Sequence, residues 1–123
     1  KAKLFIDFED RLTLFDTLIL CRFYRDLYPW DDLQEIICAV TGMDHDKAGL
    51  QSIAANVSNM VRHFNIREGL TSQDDRLPTR FFKEKLGRGE GITKEELSVM
   101  RAEYYSLRGW DEKGRPPALP TGA

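Results

Sequence analysis

An all-α fold is predicted for this 123-residue chain by three observations. Apolar residues recur at helical spacing through its middle, a capping box opens its last apolar stretch, and glycines stand where the periodic stretches stop. The strand signal is thin and there is no internal repeat. At 41% hydrophobic and 31% charged residues, the expectation is one compact helical domain with a modest core.

The first stretch, Leu4 to Leu27, lacks clean periodicity, but its length and leucine content favour a helix that Pro29 stops. Asp31 and Asp32 then lead into Leu33, Ile36, Ile37 and Val40, an i, i+3, i+4, i+7 face closed by Gly42 at the C′ position. A longer helix starts from Asp46 as N-cap, carries Leu50, Ile53, Val57, Met60, Val61 and Phe64 on one face, and ends near Gly69. Leu70 to Gly91 reads as a connection, with Phe81, Phe82 and Leu86 packing on the core. Thr93 and Glu96 form the capping box of the last helix, whose stripe is Leu97, Met100, Tyr104 and Leu107 and whose end is Gly109. The domain is expected over residues 1–114, with 115–123 a mobile tail containing prolines.

Eighteen Lys+Arg against twenty Asp+Glu give a net charge of -2, without a basic stripe, so nucleic acid is not an expected partner. No apolar run approaches the roughly 20 residues that cross a bilayer, and a cytoplasmic location is expected. Cys21 and Cys38 have no disulfide framework around them, which fits a reducing compartment. The chain opens on Lys1 within an amphipathic pattern of Leu4, Phe5, Ile6 and Phe8, as a piece of a longer protein would.

Asp16 and Cys21 are the residue types that cofactor chemistry uses. A carboxylate offers two acceptor oxygens to the adjacent amine and ring N–H of an aminopyrimidinone, and a thiolate suits iron. On one uninterrupted helix they would stand about 140° and about 7.5 Å apart, so they would serve neighbouring groups, particularly with Asp16 at a helix start. Read from the residues alone, an N-cap aspartate and a small buried cysteine are the better account. Cys38 reads as a packed thiol and His45 as solvated. His63 lacks a partner for proton transfer, and Asn65, Arg67 and Glu68 read as bracing a helix end. Tyr104, Tyr105 and Trp110 read as core and rim aromatics.

Asp16-Thr17-Leu18-Ile19-Leu20-Cys21 resembles the D-x-x-G-L-C segment of the aldehyde ferredoxin oxidoreductase family, with Ile19 where that pattern has glycine. Val40-Thr41-Gly42, Phe64 to Gly69, Asp74 to Arg80, Glu103-Tyr104-Tyr105 and Arg108 to Asp111 resemble the family's C-terminal signature in order. The resemblance implies the C-terminal helical domain of a larger multidomain enzyme that oxidises a small aldehyde to a carboxylic acid at a tungsten (or molybdenum) bis-pterin centre. Electrons would pass through a 4Fe-4S cluster to ferredoxin. In that family the aspartate binds the pterin and the cysteine is the last cluster ligand, which implies Asp16 and Leu20 as pterin-binding and Cys21 as the metal ligand. Arg22 is open between touching the pterin, tuning the cluster by charge, and facing solvent. No catalytic acid, base or nucleophile is implied here. The isolated fragment is expected to be inactive and without cofactor, its partners being the remaining domains, ferredoxin and further copies of itself. A same-family reductase of another substrate, such as an aromatic acyl-CoA, and a cofactor-free interaction module are the alternatives. Because a β-branched residue resists positive φ, Ile19 implies either a rebuilt loop or a glycine not needed for its backbone angle.

Overall fold

The computed structural model describes residues 1–84 and 91–118, and its helices run in the order α1 Ala2–Thr17, α2 Trp30–Thr41, α3 Lys47–Arg67, α4 Arg80–Lys83 and α5 Lys94–Arg108. A 3-10 turn, Arg22–Tyr24, follows α1, and no strand occurs among the described residues. The all-α prediction holds. Leu86 of the predicted apolar patch and residues 119–123 of the predicted tail lie outside the described residues.

Helix α1 is the central element, packed against both α3 and α5, while α2 lies on α3. Leu14, Trp30, Ile37, Leu50 and Ala54 form one buried cluster, with Leu18 and Ile53 against it. Asp7 ties this side together: it accepts from Trp30 Nε1 at 3.1 Å and Gln51 Nε2 at 3.3 Å, and pairs with Lys47 at 2.8 Å. One carboxylate thus links three helices.

The local signals for helix ends are realised. Asp46 accepts from the Gly49 amide at 2.8 Å, and Thr93 and Glu96 exchange bonds of 3.0 and 2.8 Å in a complete capping box. Gly42 and Gly109 end α2 and α5 in the left-handed region, and Gly69 follows α3 in the same region.

Three expectations are corrected. The first helix does not reach Leu27: α1 stops at Thr17, because a backbone turn at Leu18 to Leu20 takes up its last carbonyls. In α2 the inward residues are Leu33 and Ile37, and Val40 is exposed. In α3 and α5 the inward rows include arginines that a count of apolar residues passes over. Arg62 is buried on α3 while Met60, Val61 and Phe64 are exposed, and on α5 Tyr105 is buried while Leu107 is exposed. The Arg108 side chain is only 3% exposed.

Two polar clusters explain these arginines. Arg62 donates to both oxygens of Asp75, at 2.7 and 2.6 Å, and through Nε to the Gly114 carbonyl at 2.9 Å, and Tyr105 also donates to Asp75. Arg101 holds the same loop through the Ser72 carbonyl at 3.0 Å. Burial alone would raise the Asp75 carboxyl, but the Arg62 and Tyr105 hydrogen bonds outweigh it and hold it below the ordinary range. Burial and this carboxylate push the Tyr105 hydroxyl up to about 12. In the second cluster Arg108 pairs with Glu9 at 2.5 Å and approaches Asp10 at 2.7 Å, while Tyr104 donates to Glu9 at 2.8 Å. The Asp10 contact lacks hydrogen-bond alignment, leaving Oδ1 without a bonded partner. Burial accordingly pushes the Asp10 carboxyl above its ordinary value despite Arg108.

Candidate functional site

The site is built where α1 ends. The Leu20 amide donates to the Phe15 carbonyl at 2.8 Å and the Ile19 amide to the Asp16 carbonyl at 3.1 Å, the paired bonds of a Schellman turn. That turn requires a left-handed residue at position 19, and Ile19 adopts φ 60. It is the one non-glycine residue with positive φ among those described. Of the two implied alternatives the second fails: position 19 needs the left-handed backbone angle, and the isoleucine carries the strain. Its side chain, 92% exposed, has no packing to offset that.

The turn leaves Asp16 exposed at the end of α1 and Cys21 exposed just beyond it. Asp16 lies in the last turn of α1 rather than at a helix start or N-cap, and Cys21 is exposed rather than buried. The uninterrupted-helix geometry therefore does not apply. Cys21 opens the 3-10 turn in extended conformation, and its carbonyl accepts from the Tyr24 amide at 3.0 Å. Leu20 is half-buried and its amide is committed to Phe15. What Leu20 presents is its carbonyl and side chain.

Arg22 folds back onto Asp16, Nε to Oδ1 at 2.8 Å and Nη2 to Oδ2. Of the open alternatives this gives a surface ion pair, more than half exposed on both sides. The Arg22 hydrogen bond holds the Asp16 carboxyl below its ordinary value, and Asp16 in turn raises Arg22. Around the loop Phe23 is 91% exposed, with Tyr24 and Leu27 also in solvent.

The donor set tests directly whether the implied cofactors fit. Two parallel N–H donors of Arg22 sit on both oxygens of Asp16, so this carboxylate can take a flat edge with paired donors, though only in place of Arg22. Cys21 is a free, exposed thiol. Among the described residues no three His, Cys, Asp or Glu side chains gather as metal ligands. A cuboidal cluster takes four thiolates, so Cys21 could fill one of its four positions.

The remaining candidates fall away from this loop. Cys38 is half-buried on α2, and His63 Nε2 lies 2.9 Å from the Pro117 carbonyl. Arg67 bonds Glu68 at 3.2 Å and the Asn65 carbonyl caps α3 through the Leu70 amide, consistent with their bracing role. Gly114 and Pro116 are buried, so the chain leading into residues 115–118 is packed on α3. A surface groove of about 1120 Å³ beside α4 and α5, lined by Phe81, Ile92, Val99 and Met100, includes none of Asp16, Leu20, Cys21 or Arg22. Among the described residues no helix is long and apolar enough to cross a membrane.

Sequence reasoning missed the two arginine clusters. Asp75, Tyr105 and Arg108 stand within the signature segments, but the partners that explain them, Arg62, Gly114, Glu9 and Asp10, do not. The signal available was acidic residues inside an apolar stretch.

A family model described as aldehyde ferredoxin oxidoreductase, domains 2 and 3, matches residues 1–119. The chain is 36% identical over 120 residues to the tungsten-containing aldehyde ferredoxin oxidoreductase of Pyrococcus furiosus, covering 95% of this chain and 20% of the relative. The enzyme of the same name from Thermococcus kodakarensis is 36% identical over 121 residues, and that of Pyrococcus abyssi 35%, with the same coverage. The chain thus spans about one fifth of the length of these relatives.

Proposed function

The chain belongs to the aldehyde ferredoxin oxidoreductase family, and from that premise we propose that it supplies a pterin-anchoring carboxylate, Asp16, and one iron ligand, Cys21, to a longer oxidoreductase. That enzyme would oxidise small aldehydes to carboxylic acids and pass electrons to ferredoxin. The observation that carries the reading is the loop itself: a single turn presents outward both a carboxylate bonded by paired donors and a free thiol. The tungsten-bis-pterin centre supplies the two-electron oxidation and the 4Fe-4S cluster the one-electron exit. Asp16 accepts the amine and ring N–H of the pterin edge and fixes its orientation. Cys21 gives its thiolate to iron. Leu20, half-buried between these two residues in sequence, would line the pterin, and Arg22 sets the charge beside Asp16 and Cys21. No residue of this chain acts as acid, base or nucleophile. The positive φ at Ile19 supports this reading over a cofactor-free interaction module, because it is an angle that a glycine at this position would take without strain. The unpaired thiols suit a cytoplasmic setting.

Paired variants of the full-length protein test this. Cys21→Ala is expected to lose the cluster with tungsten retained. Asp16→Asn turns one acceptor oxygen into a donor facing donors, so pterin retention should fall while iron stays. Cys38→Ala should be silent. Iron, tungsten and pterin analysis with cluster spectroscopy decides it: a normal cluster in Cys21→Ala, or its loss in Cys38→Ala, overturns the assignment.

A further inference from the structure

The ion pair on the loop and the pterin edge ask for the same thing. Arg22 lays two parallel N–H bonds on the two oxygens of Asp16. An aminopyrimidinone edge also offers two parallel N–H bonds, from its amine and the adjacent ring nitrogen. A carboxylate has a single face on which both oxygens can be engaged side by side, so the two donor pairs exclude one another there.

We propose that Arg22 is a placeholder for the pterin, capping Asp16 in the cofactor-free protein and leaving it as the pterin edge arrives. This rests on the reading of Asp16 above and deepens it. Three features of the geometry allow the exchange. Both side chains are more than half exposed, so separating them buries no charge. Among the described residues the Arg22 guanidinium bonds no other group. Its backbone lies in a short 3-10 turn, where the side chain can swing outward without disturbing α1. Meanwhile the pair fixes the carboxylate in one orientation and keeps the turn electrically neutral. Arg22 therefore competes with the cofactor rather than holding it.

The strength of an exposed bidentate pair sets the size of the effect, a two- to fivefold competition at about 0.1 M salt. The test uses the full-length protein prepared without tungsten or pterin, titrated with 6-hydroxymethylpterin, an uncharged probe carrying the free edge, and followed by the probe's fluorescence. Arg22→Ala should raise probe affinity about two- to fivefold. In the wild type, affinity should climb with added salt as screening loosens the pair, and that climb should vanish in Arg22→Ala. Arg22→Lys keeps the charge but loses the paired donors, so it should behave nearly like Ala. On an Asp16→Asn background the Arg22 substitution should have no effect. Lower or unchanged affinity in Arg22→Ala, with Asp16→Asn still weakening the probe, overturns the placeholder and leaves the role of Asp16 standing. A wild-type response from Arg22→Lys overturns it as well, because charge alone would then explain the competition. An Asp16→Asn variant that binds the probe normally overturns the reading of Asp16 itself.

Discussion

Ile19 shows how one residue can hide a feature that its neighbours specify. The turn after α1 is built by backbone bonds to Phe15 and Asp16, but its usual sequence mark, a glycine, is missing, and so the helix end could not be read. A left-handed β-branched residue costs about 1–2 kcal/mol, partly offset by the entropy glycine would lose. Ile19→Gly should therefore raise stability by about 1 kcal/mol, read as a higher urea midpoint at unchanged slope. A lower midpoint would mean that the exposed side chain contributes packing. Gly114 is the opposite case, at φ 69 with a would-be Cβ 2.6 Å from Arg62 Nη2 and 2.7 Å from the Tyr105 ring. Gly114→Ala should lose more than about 2 kcal/mol, through backbone strain and displacement of the Arg62 guanidinium. The same titration measures this. Asp16 and Cys21 stand out in the sequence only through the pattern they share with the family; their exposure was not legible, since it follows from the unread turn.

The caps of α3 and α5 and the glycines beyond α2, α3 and α5 were legible because each is decided within a few residues. Thr93→Ala should cost about 1 kcal/mol, mainly by fraying α5 from its N-terminus, and hydrogen exchange across that first turn is the check. The inward rows of α3 and α5 were not legible: whether Arg62 or Arg108 faces in depends on carboxylates and carbonyls 13 to 99 residues away. These clusters give the helix packing a pH dependence with two opposed parts. Asp75 has a depressed folded pKa, so its stabilisation is complete above the ordinary carboxylate range and is lost as pH falls through the lower folded value. Asp10 has a raised folded pKa, so its burial penalty is relieved as pH falls through that raised value. Asp75→Asn should cost about 2–3 kcal/mol at neutral pH by leaving Arg62 without its carboxylate, and should flatten the acid limb. Denaturation midpoints from pH 3 to 7 test both signs; an acid limb unchanged by Asp75→Asn would assign it to other groups.

Among the described residues, exposed apolar side chains occur on every helix and on the loop after α1. Ile19, Phe23, Tyr24 and Leu27 follow one another along the site loop, more apolar surface than a lone soluble domain usually shows in one segment. The chain on its own should self-associate, and Phe23→Ser should reduce this. Sedimentation at rising concentration is the measurement, and a strict monomer would argue against a covered loop. The ion pairs from Arg108 to Glu9 and Asp10 have a different consequence, one of timing. They join residues nearly a hundred positions apart, so they cannot form on the ribosome until Arg108 has been made and has left the exit tunnel. At roughly 5–20 residues per second Arg108 is made about 5–20 s after Glu9, and it clears the tunnel later still. Through that interval the inward face of α1 carries an unneutralised Asp10, and charge resists burial. Helix α1 is thereby held back from final docking until α5 has left the tunnel.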